Sequence, residues 1–369
     1  MTFPDFNLYP RRRRCLGNRR VVGQRAIAKE TTVKVDGGAG LGESLDRVAE
    51  LAMEQEAAGY DGFWTAETSH DPFLPLLLAA EHTESIEIGT SIAVAFARNP
   101  MTLANTAWDL QAYSGRFILG LGSQIKPHIT KRFSMEWSKP AARMREMIQA
   151  IRAIWECWNT DGKLNFRGDF YSHTLMTPFF NPGPNPNGDA RIFLAGVGPL
   201  MTKVAGEVAD GFICHSFTTE RFLREVTLPA IEAGRQAAGK SMDGFEVVGP
   251  SFVVTGNDET EMQEAAAATR KQIAFYGSTP AYRPVLDLHG WGDLQDELNR
   301  LSKQGRWEEM GDAVDDDVLN AFAVVGEPEA IAPELKRRYG DCVHRISFYA
   351  PYKGDTERWK KVFADLKSD

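Results

Sequence analysis

Short apolar runs alternate with amphipathic stretches from residue 33 almost to the C-terminus. Residues 33–36 read as a strand. Residues 42–58 read as a helix, because Leu45, Val48, Ala49, Ala52 and Met53 recur on one face. Gly59 supplies the left-handed stop that ends it. Strand 62–66, helix 72–82, strand 86–94, helix 100–113 and strand 117–122 follow. Pro72 and Pro100 stand where a first-turn proline belongs. Helix 140–158 comes after a looser segment. Residues 159–189, which contain NPGPNPNGD, read as an excursion. The alternation resumes with strand 191–195, helix 200–209, strand 211–214, helix 219–238, strand 245–254 and helix 258–275. Residues 277–325 are too structured for a linker and are expected to form a helical insertion over one end of the fold. Helix 329–339, strand 344–349 and helix 356–366 close the chain.

Eight strands, each followed by helix, predict an α/β fold of the (β/α)8 TIM barrel type with a helical insertion before the last strand. The competing topology is an open doubly wound sheet. That topology is disfavoured, because the chain has no GxGxxG and no acidic residue placed to hold a ribose. Residues 33–369 are expected to be one barrel domain, with the insertion at 277–325.

Two strands run straight into glycines. In RIFLAGVGPLMTKVAGEVADGFIC (residues 191–214), a buried strand breaks on Gly196, Val197 and Gly198 at the start of a helix. A helix start offers unpaired N–H groups at the positive end of a dipole, which suits a phosphate. Ser216 and Thr218 follow the next strand and add hydroxyls to that cradle. The plainer reading is that both glycines only permit a tight turn. FILGLGS (residues 117–123) repeats the pattern, with Gly122 and Ser123 at its end.

Composition changes this picture little. Hydrophobic residues make up 43% and charged residues 25%, ordinary values for a soluble enzyme. The longest apolar run, near residues 73–80, contains a proline and is too short to span a bilayer, so no membrane contact is expected. Cys15, Cys157, Cys214 and Cys342 are widely spaced, which fits a reducing cytoplasm. The seven histidines show no metal-binding spacing. The net charge of −8 is uneven, because residues 1–32 carry eight Lys/Arg against Asp5 and Glu30. They read as a basic, disordered extension. The remaining body is acidic, so nucleic acid is not an expected partner.

Five segments in order, WTAETSHDPF, IEIGTSIAVAFARNP, SGRFILGLGS, AGVGPLMTKVAGEVADGFI and FAVVGEPEAI, resemble the luciferase-like monooxygenase superfamily. The resemblance covers about residues 33–350 and is closest to the branch that uses coenzyme F420, a deazaflavin with a phosphate and an acidic tail. It implies a hydride-transfer oxidoreductase acting on a small molecule, with the ring at the C-terminal mouth of the barrel. It further implies a bulge with a cis peptide at Ser91 and Ile92 behind that ring.

Relatives often carry an acidic residue followed by His at the end of the second strand. Here Glu67 is followed by Thr68, so His70 either substitutes from three residues on or merely starts the helix with Asp71. Glu67, His70 and His128 are the candidates to exchange a proton with the substrate. The sugar-phosphate dehydrogenases of the superfamily place a Glu where this chain has Ile125, so their mechanism is not expected. Arg283, with Arg270 and Lys271, is placed to meet the acidic tail. Trp64, Phe96 and Tyr276 are candidate walls for a planar ring, and Trp108 is expected in the core. FMN is the alternative cofactor, in a two-component monooxygenase, and a non-catalytic flavin-binding paralogue is a third reading. Relatives pair through the second and third barrel helices, so a homodimer is expected.

Overall fold

In a computed structural model of the chain, which describes residues 33–40, 42–250 and 252–368, eight parallel strands close into a ring. They are β1 (Lys34–Gly38), β2 (Gly62–Thr65), β3 (Glu87–Thr90), β4 (Phe117–Gly122), β5 (Arg191–Gly196), β6 (Gly211–Cys214), β7 (Glu246–Val248) and β8 (Arg345–Ser347). Each pairs with its sequence neighbour, and β1 pairs with β8 through Lys34 opposite Arg345. The fold is therefore a (β/α)8 barrel. Residues 1–32, the basic extension of the sequence reading, lie outside the described residues.

The barrel interior is layered. At the N-terminal ends of the strands, Lys34 and Asp36 from β1, Glu87 from β3, Arg191 from β5 and Glu246 from β7 surround Arg345 of β8. Arg345 is fully buried and bonds Asp36 through Nε at 2.8 Å and Nη2 at 2.7 Å, and Glu246 through Nη1 at 3.1 Å. Above this ionic layer lie Trp64, Ile118, Phe193, Ile213 and Val248. Gly89 and Gly62 make room for the Trp64 indole, since a Cβ on either would come within 2.7 Å of its ring. Between barrel and helices runs the main core, where Trp108 packs edge-on against Trp158. A separate core of Phe217, Phe222, Phe252, Val285, Leu298, Val318 and Phe322 underlies the insertion.

Three elements differ from the sequence reading. The expected strand 86–94 is broken: β3 stops at Thr90 and Ala93–Val94 resumes beside β4. Gly89 faces Ile118 and Ala93 faces Leu121, so four steps on one strand oppose three on the other, which is a bulge. The Ser91–Ile92 peptide within it is cis. The expected strand 245–254 is split, because Pro250 has no N–H to continue the ladder. Its second part, Phe252–Val254, pairs with Ala323–Val325, so the insertion ends in a strand after its helices. Helix 219–238 contains a π turn at Leu223–Thr227 just ahead of Pro229.

Candidate functional site

Because the strands are parallel, all eight loops after them gather at one end of the barrel. Glu67 follows β2 there and is buried. Its N–H donates to the Ile92 carbonyl at 3.1 Å. Its carboxylate oxygen Oε2 accepts from the Val94 N–H at 2.7 Å and from Arg98 Nη1 at 2.5 Å. Glu67 thus grips both sides of the bulge that holds Ser91 and Ile92. Oε2 is thereby committed to holding that segment.

Gly122 belongs to the same construction. A Cβ there would lie 2.8 Å from Ile92 Cγ1, so this glycine seats the Ile92 side chain. Ser123 is half-buried at the end of β4.

His70 and His128 are both exposed. Arg132 donates to the Thr68 carbonyl, which ties the short π-helix opened by His128 to the loop that bears His70. Asp71 caps the following helix through the Phe73 N–H at 2.8 Å and pairs with Arg98 at 3.0 Å. The Glu67–Asp71 loop and the bulge therefore share one arginine.

Gly196 of β5 lies opposite Cys214 of β6, so the Gly196–Gly198 loop and the Ser216–Thr218 loop leave adjacent strand ends. Helix Pro199–Val208 starts with Gly198 as its cap and Pro199 in its first turn. Its first recorded intrahelical donor is Thr202, to the Gly198 carbonyl at 3.1 Å, so helix geometry leaves the Leu200 and Met201 N–H groups at the open end. The two glycines differ. A Cβ on Gly196 would meet Met201 at 3.0 Å, whereas one on Gly198 would meet nothing within 4 Å among the described residues. The space over Gly198 fits a cradle that admits a phosphate. Ser216 is half-buried, and Thr218 is buried at 3% exposure.

The three cations proposed for an acidic tail are already engaged. Arg283 pairs with Asp296 at 2.8 Å and Asp287 at 3.3 Å. Arg270 pairs with Asp316, and Lys271 with Glu308. A tail would have to displace those carboxylates. Of the proposed ring walls, Trp64 lies in the interior layer with Arg345 over its ring, and Phe96 is fully buried against Trp137. Tyr276 stands at the mouth.

Sequence reasoning passed over His215, directly after β6. Its ring contacts Tyr276 at 4.7 Å and Tyr282 at 4.8 Å, and the Phe217 N–H donates to its Nδ1 at 3.0 Å. Burial pushes its pKa down to about 4. The available signal was position: a histidine one residue past a barrel strand sits on the rim where chemistry is done.

Comparison with known proteins places this geometry. A family model described as luciferase-like monooxygenase matches residues 28–345. An uncharacterized protein of Mycobacterium tuberculosis is 56% identical over 315 residues, covering 85% of this chain and 92% of that one. The F420-dependent glucose-6-phosphate dehydrogenase of Amycolatopsis mediterranei is 26% identical over 333 residues, covering 86% and 92%. The solved coenzyme F420-dependent tetrahydromethanopterin reductase of Methanopyrus kandleri superposes with a TM-score of 0.73 at 22% identity, covering 89% and 96%.

Proposed function

The chain belongs to the luciferase-like monooxygenase family, and from that premise we infer that it exchanges a hydride between coenzyme F420 and a small organic substrate. The open space over Gly198, at a helix start beside the Ser216–Thr218 loop, is the observation that carries this reading. The name of the Amycolatopsis relative supports the choice of deazaflavin over FMN. When bound, the deazaflavin supplies the hydride chemistry.

The chain's own residues divide the remaining work. Leu200 and Met201 N–H groups, with the Ser216 hydroxyl, would hold the phosphate. Ser91 and Ile92 would back the ring, with Glu67 and Arg98 fixing their segment. His70 and His128, exposed on the rim, are the proposed proton carriers for the substrate. Arg283 is bound to two aspartates and is not needed for the reading.

Titration of the purified protein with F420, FMN and FAD, followed by fluorescence, tests the assignment. F420 is expected to bind at micromolar concentration and to support turnover without oxygen. Oxygen-dependent turnover with FMN, together with no F420 binding, would move the protein to the monooxygenases. Binding without turnover on any carbonyl or alcohol substrate would favour a non-catalytic flavin carrier.

We also propose a homodimer. Leu76, Leu103, Trp108 and Leu110 are buried in the protomer, but Leu74 and Leu77 of helix Phe73–His82 remain 56% and 47% exposed. Light scattering is expected to give twice the chain mass, and Leu77→Lys is expected to shift it to the monomer. A monomer mass for the unaltered protein at micromolar concentration would remove the proposal.

A further inference from the structure

His215 and Tyr282 come from distant parts of the chain, the β6 loop and the insertion, yet meet at the mouth. Tyr282 Oη lies 3.4 Å from His215 Nε2. Because the Phe217 N–H donates to Nδ1, that nitrogen carries no proton, and the neutral ring holds its hydrogen on Nε2. The ring stays neutral at pH 7, since burial holds its pKa at about 4. Tyr282 is itself a hydroxyl donor. With its hydrogen on Nε2, His215 points its donor at the Tyr282 oxygen across a contact that is long for a hydrogen bond, so the Tyr282 O–H is free and the Nε2–H is only weakly held.

The surroundings are aromatic. Tyr276 meets the His215 ring nearly edge-on, and Phe217 stacks on Tyr282 at 5.9 Å. Phe252 contacts both Tyr276, at 6.3 Å, and Tyr349, at 5.0 Å, so the aromatic wall runs from the β6 loop to the residues just past β8. His215 and Tyr282 both remain partly accessible. The nearest cation in sequence, Arg283, is committed to Asp287 and Asp296.

We propose that His215 Nε2 and Tyr282 Oη form a neutral two-donor site for a substrate oxygen, and that this site selects flat, uncharged carbonyl or alcohol compounds over carboxylates. One oxygen can sit within hydrogen-bond reach of two donors spaced this way, as in an oxyanion hole. A carboxylate would lose its hydration inside an aromatic wall whose neighbouring cation, Arg283, is already paired. The two residues orient the substrate carbon for the hydride and lend its oxygen polarisation. This deepens the hydride-transfer reading and rests on it for the identity of the reaction.

Three probes of one shape test the site: acetophenone, benzoate and ethylbenzene, each added to the full chain. Infrared difference spectra of carbonyl-labelled acetophenone are expected to show a stretch lower than in water. Tyr282→Phe and His215→Phe keep the rings, and each is expected to raise that stretch and weaken acetophenone about tenfold, the worth of one neutral hydrogen bond. Ethylbenzene affinity should not change. An unmoved stretch in both variants, or benzoate binding more tightly than acetophenone, overturns the proposal. Unaltered melting and circular dichroism in Tyr282→Phe identify a loss at the site. If F420 binds but Tyr282→Phe leaves the stretch alone, the donor pair falls and the hydride reading stands. If neither F420 nor FMN binds but the stretch responds, the donor pair stands and the hydride reading falls.

Discussion

Arg345→Met is expected to lower the melting temperature by about ten degrees or to prevent folding outright. Arg345 is at 0% exposure and answers Asp36, Glu87 and Glu246 together. Removing the guanidinium leaves three carboxylates facing one another at the closed end of the barrel. Arg191 and Lys34 neutralise Glu87 and Glu246 in part, but only Arg345 is recorded as an ion-pair partner of Asp36 among the described residues. Breaking a buried ion pair from one side costs about 3–5 kcal/mol. Arg345→Lys should retain part of the stability, because a lysine keeps the charge but not the fork that grips Asp36 through two nitrogens. Melting followed by circular dichroism distinguishes the cases. A melting temperature within two or three degrees of the parent for Arg345→Met would show the layer to be dispensable.

Glu246 and Glu87 of this layer favour an acid limit, against Asp36, whose carboxyl burial pushes up despite Arg345. Burial pushes the Glu246 carboxyl up, and the Arg191, Lys34 and Arg345 charges more than reverse this, bringing it from 4.5 to about 2. Glu87 is lowered too, its burial outweighed by Arg345 and Arg191. A carboxyl with a depressed folded pKa contributes stability above its unfolded value and loses it as pH falls through the folded one. Stability is therefore expected to drain away between about pH 4.5 and 2, and less steeply in Glu246→Gln.

Much of the fold could be read from the chain, because apolar runs of strand length recur between helix-length stretches. The ionic layer could not. Lys34, Glu87, Arg191 and Glu246 look like ordinary charged strand ends, and only barrel closure turns alternate strands so that these ends face one centre. Their partner Arg345 is separated from Asp36 by 309 residues. The Gly196–Gly198 turn could be read from its glycines, whereas the break in strand 86–94 at Ser91–Ile92 was implied only by the family resemblance. The site was obscure where side chains choose partners. Nothing local to Glu67 reveals that Arg98 and the Val94 N–H occupy its carboxylate. Nor does anything near Arg283 reveal that Asp296, thirteen positions on, claims its guanidinium. His215 was missed because a lone histidine carries no pattern, and its meaning comes from Tyr282 and Tyr276 folding over it.

The sharpest test of the cradle is Gly198→Val, expected to weaken F420 about a hundredfold while leaving the melting temperature nearly unchanged. Gly198 has φ −80° and ψ 150°, extended backbone that a β-branched residue adopts readily. Among the described residues, nothing beyond its chain neighbours lies within 4 Å of the added Cβ. The fold therefore gives no reason for glycine there, and loss of a mediocre helix cap is a minor cost. A phosphate seated on the Leu200 and Met201 N–H groups does give one, since the isopropyl group would stand in its approach. Losing two charge-assisted hydrogen bonds, each about 1.5–3 kcal/mol in full, accounts for the expected factor even after partial compensation. Gly196→Ala provides the contrast: its Cβ would press on Met201 at 3.0 Å, so stability should fall first and binding only as a consequence. FMN offers the same phosphate chemistry and should respond to Gly198→Val in parallel, so the result bears on the cradle whichever flavin binds. Unchanged affinity for both cofactors in Gly198→Val would mean that the glycine only shapes the turn, and the phosphate would have to be sought at another strand end.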